Sequence, residues 1–368
     1  MDKISLVDLK SQYRSQEHDI NMAIKRVLEK QSFILGEDVA ELEARIAEFC
    51  NTKYAVGLNS GTDALILALD AFDIKKGDEV ITTPFTFVAT AEAIVRVGAT
   101  PVFVDIVPET YNINPKLIEK KITKKTKAIL PVHLYGLPAD MDPIMELAAK
   151  HNLVVIEDCC QAIGAAYHGK IVGSIGDAGA LSFFPSKNLG CFGDGGMIVT
   201  NHKKVYDRVR MLREHGSSVR YYHDIIGYNS RLDNLQAAIL NVKLNKLNEW
   251  IQKRAEHAAE FTKHISRYPV KLPVTPKGLT HTFHLYMIRT NRAKELMEFL
   301  SENNIDSRAY YPLPLHLQKC FEYLGYKRGD FPESEKASNE ILNIPVYQEL
   351  TAEIKKYMMD KIDAFFRK

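Results

Sequence analysis

The sequence predicts an α/β protein: a large domain on a mainly parallel sheet with helices on both faces, then a smaller α+β domain. Three observations carry this expectation. Strand-like and helix-like segments alternate from about residue 54 to residue 158. Most of the strand-like segments carry continuous Val/Ile runs, as strands covered on both faces require. At 368 residues the chain exceeds the usual size of one hydrophobic core.

Residues 15–48 read as two helical pieces broken near Gly36, where "GEDVAELEARIAEFC" restarts with acidic residues in its first turn. "YAVGLN" reads as a strand and "GTDALILALDAF" as a helix; "DEVITTP" as a strand and "FVATAEAIVRVG" as a helix; "TPVFVDI" as a strand. "TKAILPVHLYG" is a strand running into a loop, "MDPIMELAAKHN" a helix, and "LVVIEDC" a strand. From Leu232 to about Ile265 apolar residues recur at helical spacing, including Leu235, Ile239, Val242, Leu247, Trp250 and Phe261. One long helix connecting two domains is expected there. Beyond it, "THTFHLYMIRT" reads as short strands, and "AKELMEFLSENN" and "TAEIKKYMMDKIDAFF" as helices. The expected division is 1–250 for the large domain and 251–368 for the small one.

Composition excludes several functional classes. The formal net charge is +2, and no basic stripe interleaved with aromatics appears, so neither a nucleic acid nor a membrane surface is indicated as partner. No apolar run is long enough to span a bilayer, and "MDKISLVDLKSQYRSQ" has no secretory apolar core. The five cysteines (Cys50, Cys159, Cys160, Cys191 and Cys320) are odd in number and scattered. That pattern argues against a disulfide framework, and for a reducing, cytoplasmic setting. Without better-spaced ligands, no metal site is expected.

The chemistry concentrates around "LSFFPSKNLGCFGDGGMIVT", Leu181 to Thr200. A single amine, Lys187, sits between two β-rich runs and is followed by Gly190, Gly193, Gly195 and Gly196. A surface lysine in a hairpin would look the same. A nucleophilic amine with a lowered pKa, of the kind that forms Schiff bases, is the sharper reading. Three further features fall where open α/β sheets bind ligands, at the carboxyl ends of strands. In "NSGTDALILAL", Ser60, Gly61 and Thr62 precede an apolar helix, either as plain N-caps or as a phosphate cradle. In "VVIEDCCQA", Glu157 and Asp158 end an apolar strand, where a carboxylate is costly unless paired with something cationic; Asp158 would also serve as a helix N-cap. In "PFTFVATA", Phe87 offers a flat apolar face or ordinary core packing. Together the four fit pyridoxal 5′-phosphate: a lysine for the aldehyde, an aspartate for the ring nitrogen, a helix start for the phosphate.

With these motifs in order, the chain resembles the DegT/DnrJ/EryC1/StrS family of sugar aminotransferases, which have the aspartate-aminotransferase fold (fold type I). The resemblance runs from "VDLKSQY" through "SGTDAL", "TFVATA", "VHLYG", "EDCCQAIGA", "GDAGALSFFPSKNLGCFGDGGMIVTN" and "GYNSRLDNLQAAIL" to "YYPLPLHLQ". It implies that Lys187 holds the cofactor and shuttles the proton. Asp158 is implied to pair with the ring nitrogen, Gln161 to lie near the phenolic oxygen, and Phe87 to stack on the ring. Gly61, Thr62 and Ser182 are implied to hold the phosphate. Asn229 would reach the cofactor of a neighbouring subunit, so the implied unit is a homodimer with shared sites. The glycines after Lys187 are expected to give a sharp turn.

Two departures from the family pattern stand out. Cys159 and Cys160 replace two alanines common in the family, a change expected to add no chemistry. "FFPS" stands where other members carry a histidine before the lysine. This version resembles the branch acting on C3 of nucleotide-linked keto sugars (dTDP or UDP), with an amino acid such as L-glutamate as donor. Tyr310, Tyr311 and His316 then become candidate sugar contacts or parts of a structural loop; His133 is either a contact or a satisfied histidine beside the pocket. Amination at C4 and a non-catalytic regulatory protein are the alternatives. A sugar dehydratase of this family would carry histidine in place of Lys187.

Overall fold

The computed structural model describes residues 3–367. Its centre is a seven-stranded sheet with strands β1 (Tyr54–Leu58), β2 (Glu79–Thr82), β3 (Thr100–Phe103), β4 (Thr126–Ile129), β5 (Val154–Asp158), β6 (Ala178–Ser182) and β7 (Gly196–Thr200). They lie in the order β1-β7-β6-β5-β4-β2-β3. The pairings from β6 to β3 are parallel, and β7 alone runs antiparallel to both its neighbours. β6 and β7 therefore form a hairpin, in register from Ala178 opposite Thr200 to Ser182 opposite Gly196. Lys187 lies in its connection, so the hairpin reading and the nucleophile reading describe the same place.

Helices cover both faces. Gly61–Ala71 buries Ala64 through Leu69 without a break, because it packs on β6, β7 and the helix Val88–Arg96 at once. Its first turn is capped by Ser60 Oγ, which accepts from the Asp63 N–H at 3.1 Å. Glu37–Phe49 begins at Gly36, whose backbone is extended. A second core gathers Ile4 with Phe261, Tyr286, Leu296, Leu342 and Met358, around the antiparallel pair Tyr286–Arg289 and Ile341–Ile344. Among the described residues no helix is long and apolar enough to cross a membrane.

One expectation fails locally. The helix expected from Leu232 to Ile265 is two helices, Asn234–Leu244 and Leu247–Ile265. At the break, Asn245 and Lys246 donate to the carbonyls three residues back, Val242 and Lys243, which tightens the turn and redirects the axis. "THTFHLYMIRT" forms regular strand only over Tyr286–Arg289 and the short Leu279–Thr280. Its middle is drawn to the central domain, with Thr282 N–H on Gly136 O at 2.9 Å and Asn188 Nδ2 on Thr282 O at 3.0 Å.

Glu157, fully buried on β5, holds much of this together. Its carboxylate accepts from the N–H groups of Gly173, Ile175 and Gly176 at 2.7–2.9 Å, and lies 2.9 Å from His133 Nε2. His133 Nδ1 accepts from the Ala139 N–H at 3.0 Å, which places the imidazole proton on Nε2, facing Glu157. Glu157→Ala strands four donors in the core. It should cost about 3–5 kcal/mol, by analogy with breaking a buried charged pair. Urea unfolding of the purified variant checks this, and a loss under about 1 kcal/mol contradicts it.

Candidate active site

The strand ends of the sheet open into a cavity of about 660 Å³. Its wall includes Gly61, Thr62, Phe87, Asp158, Gln161, Ser182, Lys187, Tyr310 and Tyr311. Nine of the twelve residues singled out in the sequence thus meet at one place.

Asp158 is the last residue of β5. Thr90 Oγ1 donates to its Oδ2 at 2.9 Å, and the Cys160 N–H donates to its Oδ1 at 3.1 Å. Because the Thr90 proton is committed to the carboxylate, the 3.0 Å contact between Thr86 and Thr90 has Thr86 as donor. This two-threonine relay on the Phe87 segment went unnoticed in the sequence, although Thr86 and Thr90 share one face at i, i+4 spacing. Gln161 is oriented by its neighbours: Oε1 accepts from the Tyr135 N–H at 2.9 Å, and Nε2 donates to Tyr311 Oη at 3.0 Å. Tyr135 Oη in turn donates to the Tyr310 carbonyl. The tyrosine pair of the C-terminal region is thereby joined to the central domain at the cavity wall.

Phe87 is 53% exposed, which a packing role would not produce, and its ring centroid lies 6.1 Å from that of Tyr311. Gly61 opens its helix against β6. A Cβ there would stand 2.7 Å from Ser182 Cβ and 2.9 Å from Cys160 Sγ, so only glycine leaves this helix start accessible. Free N–H groups, the positive end of the helix and the Thr62 and Ser182 hydroxyls make a site suited to a phosphate.

The Lys187 amine is enclosed, and burial pushes its pKa below the ordinary lysine value, opposed by Cys160 and Asp158. The loop around it is held by short-range bonds: Lys187 N–H to Phe184 O, Phe183 N–H to Gly195 O and Cys191 N–H to Phe183 O, each 2.8 Å. None of the loop glycines has positive φ. Their role is close approach rather than the sharp turn expected: a Cβ on Gly196 would lie 2.2 Å from Ser60 C, and one on Gly190 2.4 Å from Pro185 O. Beneath the loop, buried Lys243 donates to Gly190 O at 2.6 Å and stands over the Phe192 ring; burial pushes its amine down to about 8.

Three expected residues are not brought to the cavity. His133 is wholly buried behind it, between Glu157 and Ala139. His316 is buried against Phe331, with Nε2 3.0 Å from Glu335 Oε1. His133 has both ring nitrogens paired, whereas His316 keeps Nδ1 buried without a partner among the described residues; both are buried and neither lines the cavity. Asn229 is exposed and not part of this wall, accepting from Arg231 Nη2 at 2.7 Å, although the next residue, Ser230, donates to Asp63 Oδ2 in the helix that starts at the cavity. Conversely, the wall includes residues the sequence did not single out: Ser5–Val7, His284, Asp306 and Arg308. They come from irregular segments with no periodic or motif signal.

A family model described as the DegT/DnrJ/EryC1/StrS aminotransferase family matches residues 14–363. A "pleiotropic regulatory protein" of Geobacillus stearothermophilus is 50% identical over 367 residues, 99% of each chain. A UDP-N-acetyl-3-dehydro-α-D-glucosamine 3-aminotransferase of Acidithiobacillus ferrooxidans is 46% identical, covering 95% of this chain and 94% of its own. The crystal structure of DesV from Streptomyces venezuelae in complex with a ketimine intermediate superposes with a TM-score of 0.98 at 40% identity, over 100% of both chains.

The lowered Lys187 pKa has a consequence for stability. The unfolded chain binds the lysine proton more tightly, so below about pH 10 the folded state is penalised, and the penalty fades as pH rises toward the ordinary lysine value. In ligand-free protein, Lys187→Met should raise Tm by roughly 2 °C at pH 7, with the gain shrinking by pH 10. A lower Tm at pH 7, or a gain that grows with pH, contradicts the burial argument.

Proposed function

Because the chain belongs to the DegT/DnrJ/EryC1/StrS aminotransferase family, we propose that it moves an amino group from an amino acid, L-glutamate foremost, to C3 of a UDP- or dTDP-linked 3-keto hexose. The observation that carries the reading is the convergence of Lys187, Asp158, Gln161 and the Gly61 helix start on one cavity. The relative from Acidithiobacillus, whose name specifies 3-amination, supports the position. The family's cofactor is pyridoxal 5′-phosphate, and the residues present fit it. The glycine-opened helix start suits the phosphate. Asp158 and the enclosed amine of Lys187 suit the ring nitrogen and the aldehyde.

When bound, the cofactor supplies an aldehyde carbon and an electron-withdrawing ring, which together allow an amine to be exchanged for a ketone. Lys187 Nζ would hold the aldehyde, and its depressed pKa would favour the neutral amine that can take a proton from the substrate carbon and return it. Asp158, fixed by Thr90 and the Cys160 N–H, would keep a proton on the ring nitrogen. Gln161 has one N–H left to offer the ring's oxygen, its carbonyl being committed to Tyr135. Phe87 would offer an apolar face to the ring and exclude water. Phe184, 52% exposed and on the cavity wall, limits which edge of the sugar approaches the amine. A regulatory role alone would need neither the enclosed amine nor the buried Asp158. The five free cysteines fit a cytoplasmic setting.

We place the active unit as a homodimer with shared sites. Asn229 is exposed and does not line its own chain's cavity, as a residue serving a neighbour's site would be. The adjacent surface bears Tyr221, Tyr222 and Ile226, all strongly exposed.

Supplying matched 3-keto and 4-keto sugars on one nucleotide, with excess glutamate, and locating the new amine by NMR tests the position. The 3-amino sugar is expected. Efficient amination of the 4-keto sugar alone overturns C3 and leaves the aminotransferase standing; Lys187→Ala should abolish turnover on either. For the dimer, Lys187→Ala and Asn229→Ala chains, each inactive alone, are refolded together. Random pairing should restore roughly a quarter of wild-type activity, from one intact site per hybrid. No recovery with hybrids verified, or a fully active Asn229→Ala, removes Asn229 from a shared site.

A further inference from the structure

We propose that Arg308 is the residue that selects a dicarboxylic amino donor, by binding the side-chain carboxylate farther from the reacting carbon. This rests on the aminotransferase reading above and adds to it a specific recognition group.

Arg308 lines the same cavity as Lys187, with its side chain exposed. Among the described residues its guanidinium makes no hydrogen bond, ion pair or ring contact. Two carboxylates share this part of the wall, Asp194 and Asp306. Neither is paired with it, and Asp306 is already neutralised by Lys3 Nζ at 2.8 Å. Its backbone, by contrast, is fixed. The Asn343 N–H donates to Arg308 O at 2.7 Å, tying it to the strand Ile341–Ile344. Two residues earlier, the Asp306 N–H donates to Ile4 O at 2.9 Å. A surface arginine with nothing to do commonly lies on a neighbouring carboxylate or carbonyl. This one is a rigidly based, unspent cation on the wall of the cavity that Lys187 also lines.

Charge and reach identify its ligand. A single guanidinium presents a planar fork matched to one carboxylate or to one phosphate of the nucleotide, and a variant's loss of UDP or dTDP binding distinguishes the second from the first. The α-carboxylate of any amino acid is bonded to the reacting carbon, which must come within about 3–3.5 Å of the Lys187 amine. Lys187 is partly buried on the cavity wall, whereas Arg308 on the same wall is exposed. The carboxylate that reaches Arg308 is therefore the distal one, which glutamate has and glutamine has replaced by an amide of the same shape.

The test needs no sugar. Wild-type enzyme loaded with pyridoxal 5′-phosphate is mixed with L-glutamate or L-glutamine, and the donor half-reaction is followed by loss of the cofactor's aldehyde absorbance. The preference for glutamate over glutamine, as a ratio of kcat/KM, should fall roughly 10- to 100-fold in Arg308→Met, the range for losing one charge-assisted pair, and partly return in Arg308→Lys. Calorimetric titration with glutarate, which has both carboxylates and no amine, reads binding alone: measurable for wild type, lost in Arg308→Met. A ratio changed less than threefold, with cofactor absorbance intact, overturns the proposal. So does glutarate binding that is absent from wild type or equal in both proteins, or a variant that loses UDP or dTDP binding but keeps glutarate. If wild-type enzyme reacts with no amino acid, the aminotransferase reading fails instead, and the glutarate titration still decides Arg308.

Discussion

Glu157 and Asp158 are neighbours at the buried end of β5, and strand geometry sends them to opposite faces. A carboxylate in such a place is costly unless donors surround it. The chain meets this demand twice, with different parts. On one face the 173–176 turn and His133 enclose Glu157, and that turn leads directly into β6, so its position sets where Ser182 and the lysine loop begin. On the other face Thr90 and the Cys160 N–H take two acceptor positions of Asp158, leaving the carboxylate on the cavity wall. One carboxylate shapes the frame; the other is left for chemistry.

The C-terminal region is joined to this frame both at Asp105, which accepts from Glu333 and Ser334, and near the site. Gln161 meets Tyr311, Tyr135 meets Tyr310, and Asn188, next to the lysine, holds Thr282. Arg254 lies wholly inside, with its guanidinium on Gln348 Oε1 and the carbonyls of Phe283 and Val346; burial pushes its pKa down to about 10. Neutral acceptors around a buried cation are a costly arrangement, justified where several irregular segments must be fixed at once. Here those segments are the ones that bring His284 and Leu285 to the cavity.

The sheet was legible because β2, β4 and β5 are apolar runs too short for helices, separated by helical periods. Lys187, Asp158 and the Gly61 turn were legible because each combines a reactive or polar group with a strand end. What could not be read depended on partners far away in sequence. The break at Asn245 comes from local three-residue bonds that apolar spacing does not encode. The glycines after Lys187 looked like turn residues, yet Gly196 is required by the Ser60 backbone pressed against it. His133 and His316 stood beside promising motifs, and only the fold reveals the acids that occupy them. Arg308 carries no local signal at all: its meaning lies in what fails to touch it.

The reversal of β7 bears on how the amine moves. Lys187 sits on residues 183–195, both ends of which are anchored to adjacent strands of one sheet. Had the loop led to a parallel strand, a long crossover would have separated its ends. As built, it is a short leash: whatever rotamer the amine takes, it stays within a side chain's length of the same point. For any group held at that point, return of the amine would be a search over rotamers rather than over loop conformations, which keeps its local concentration high.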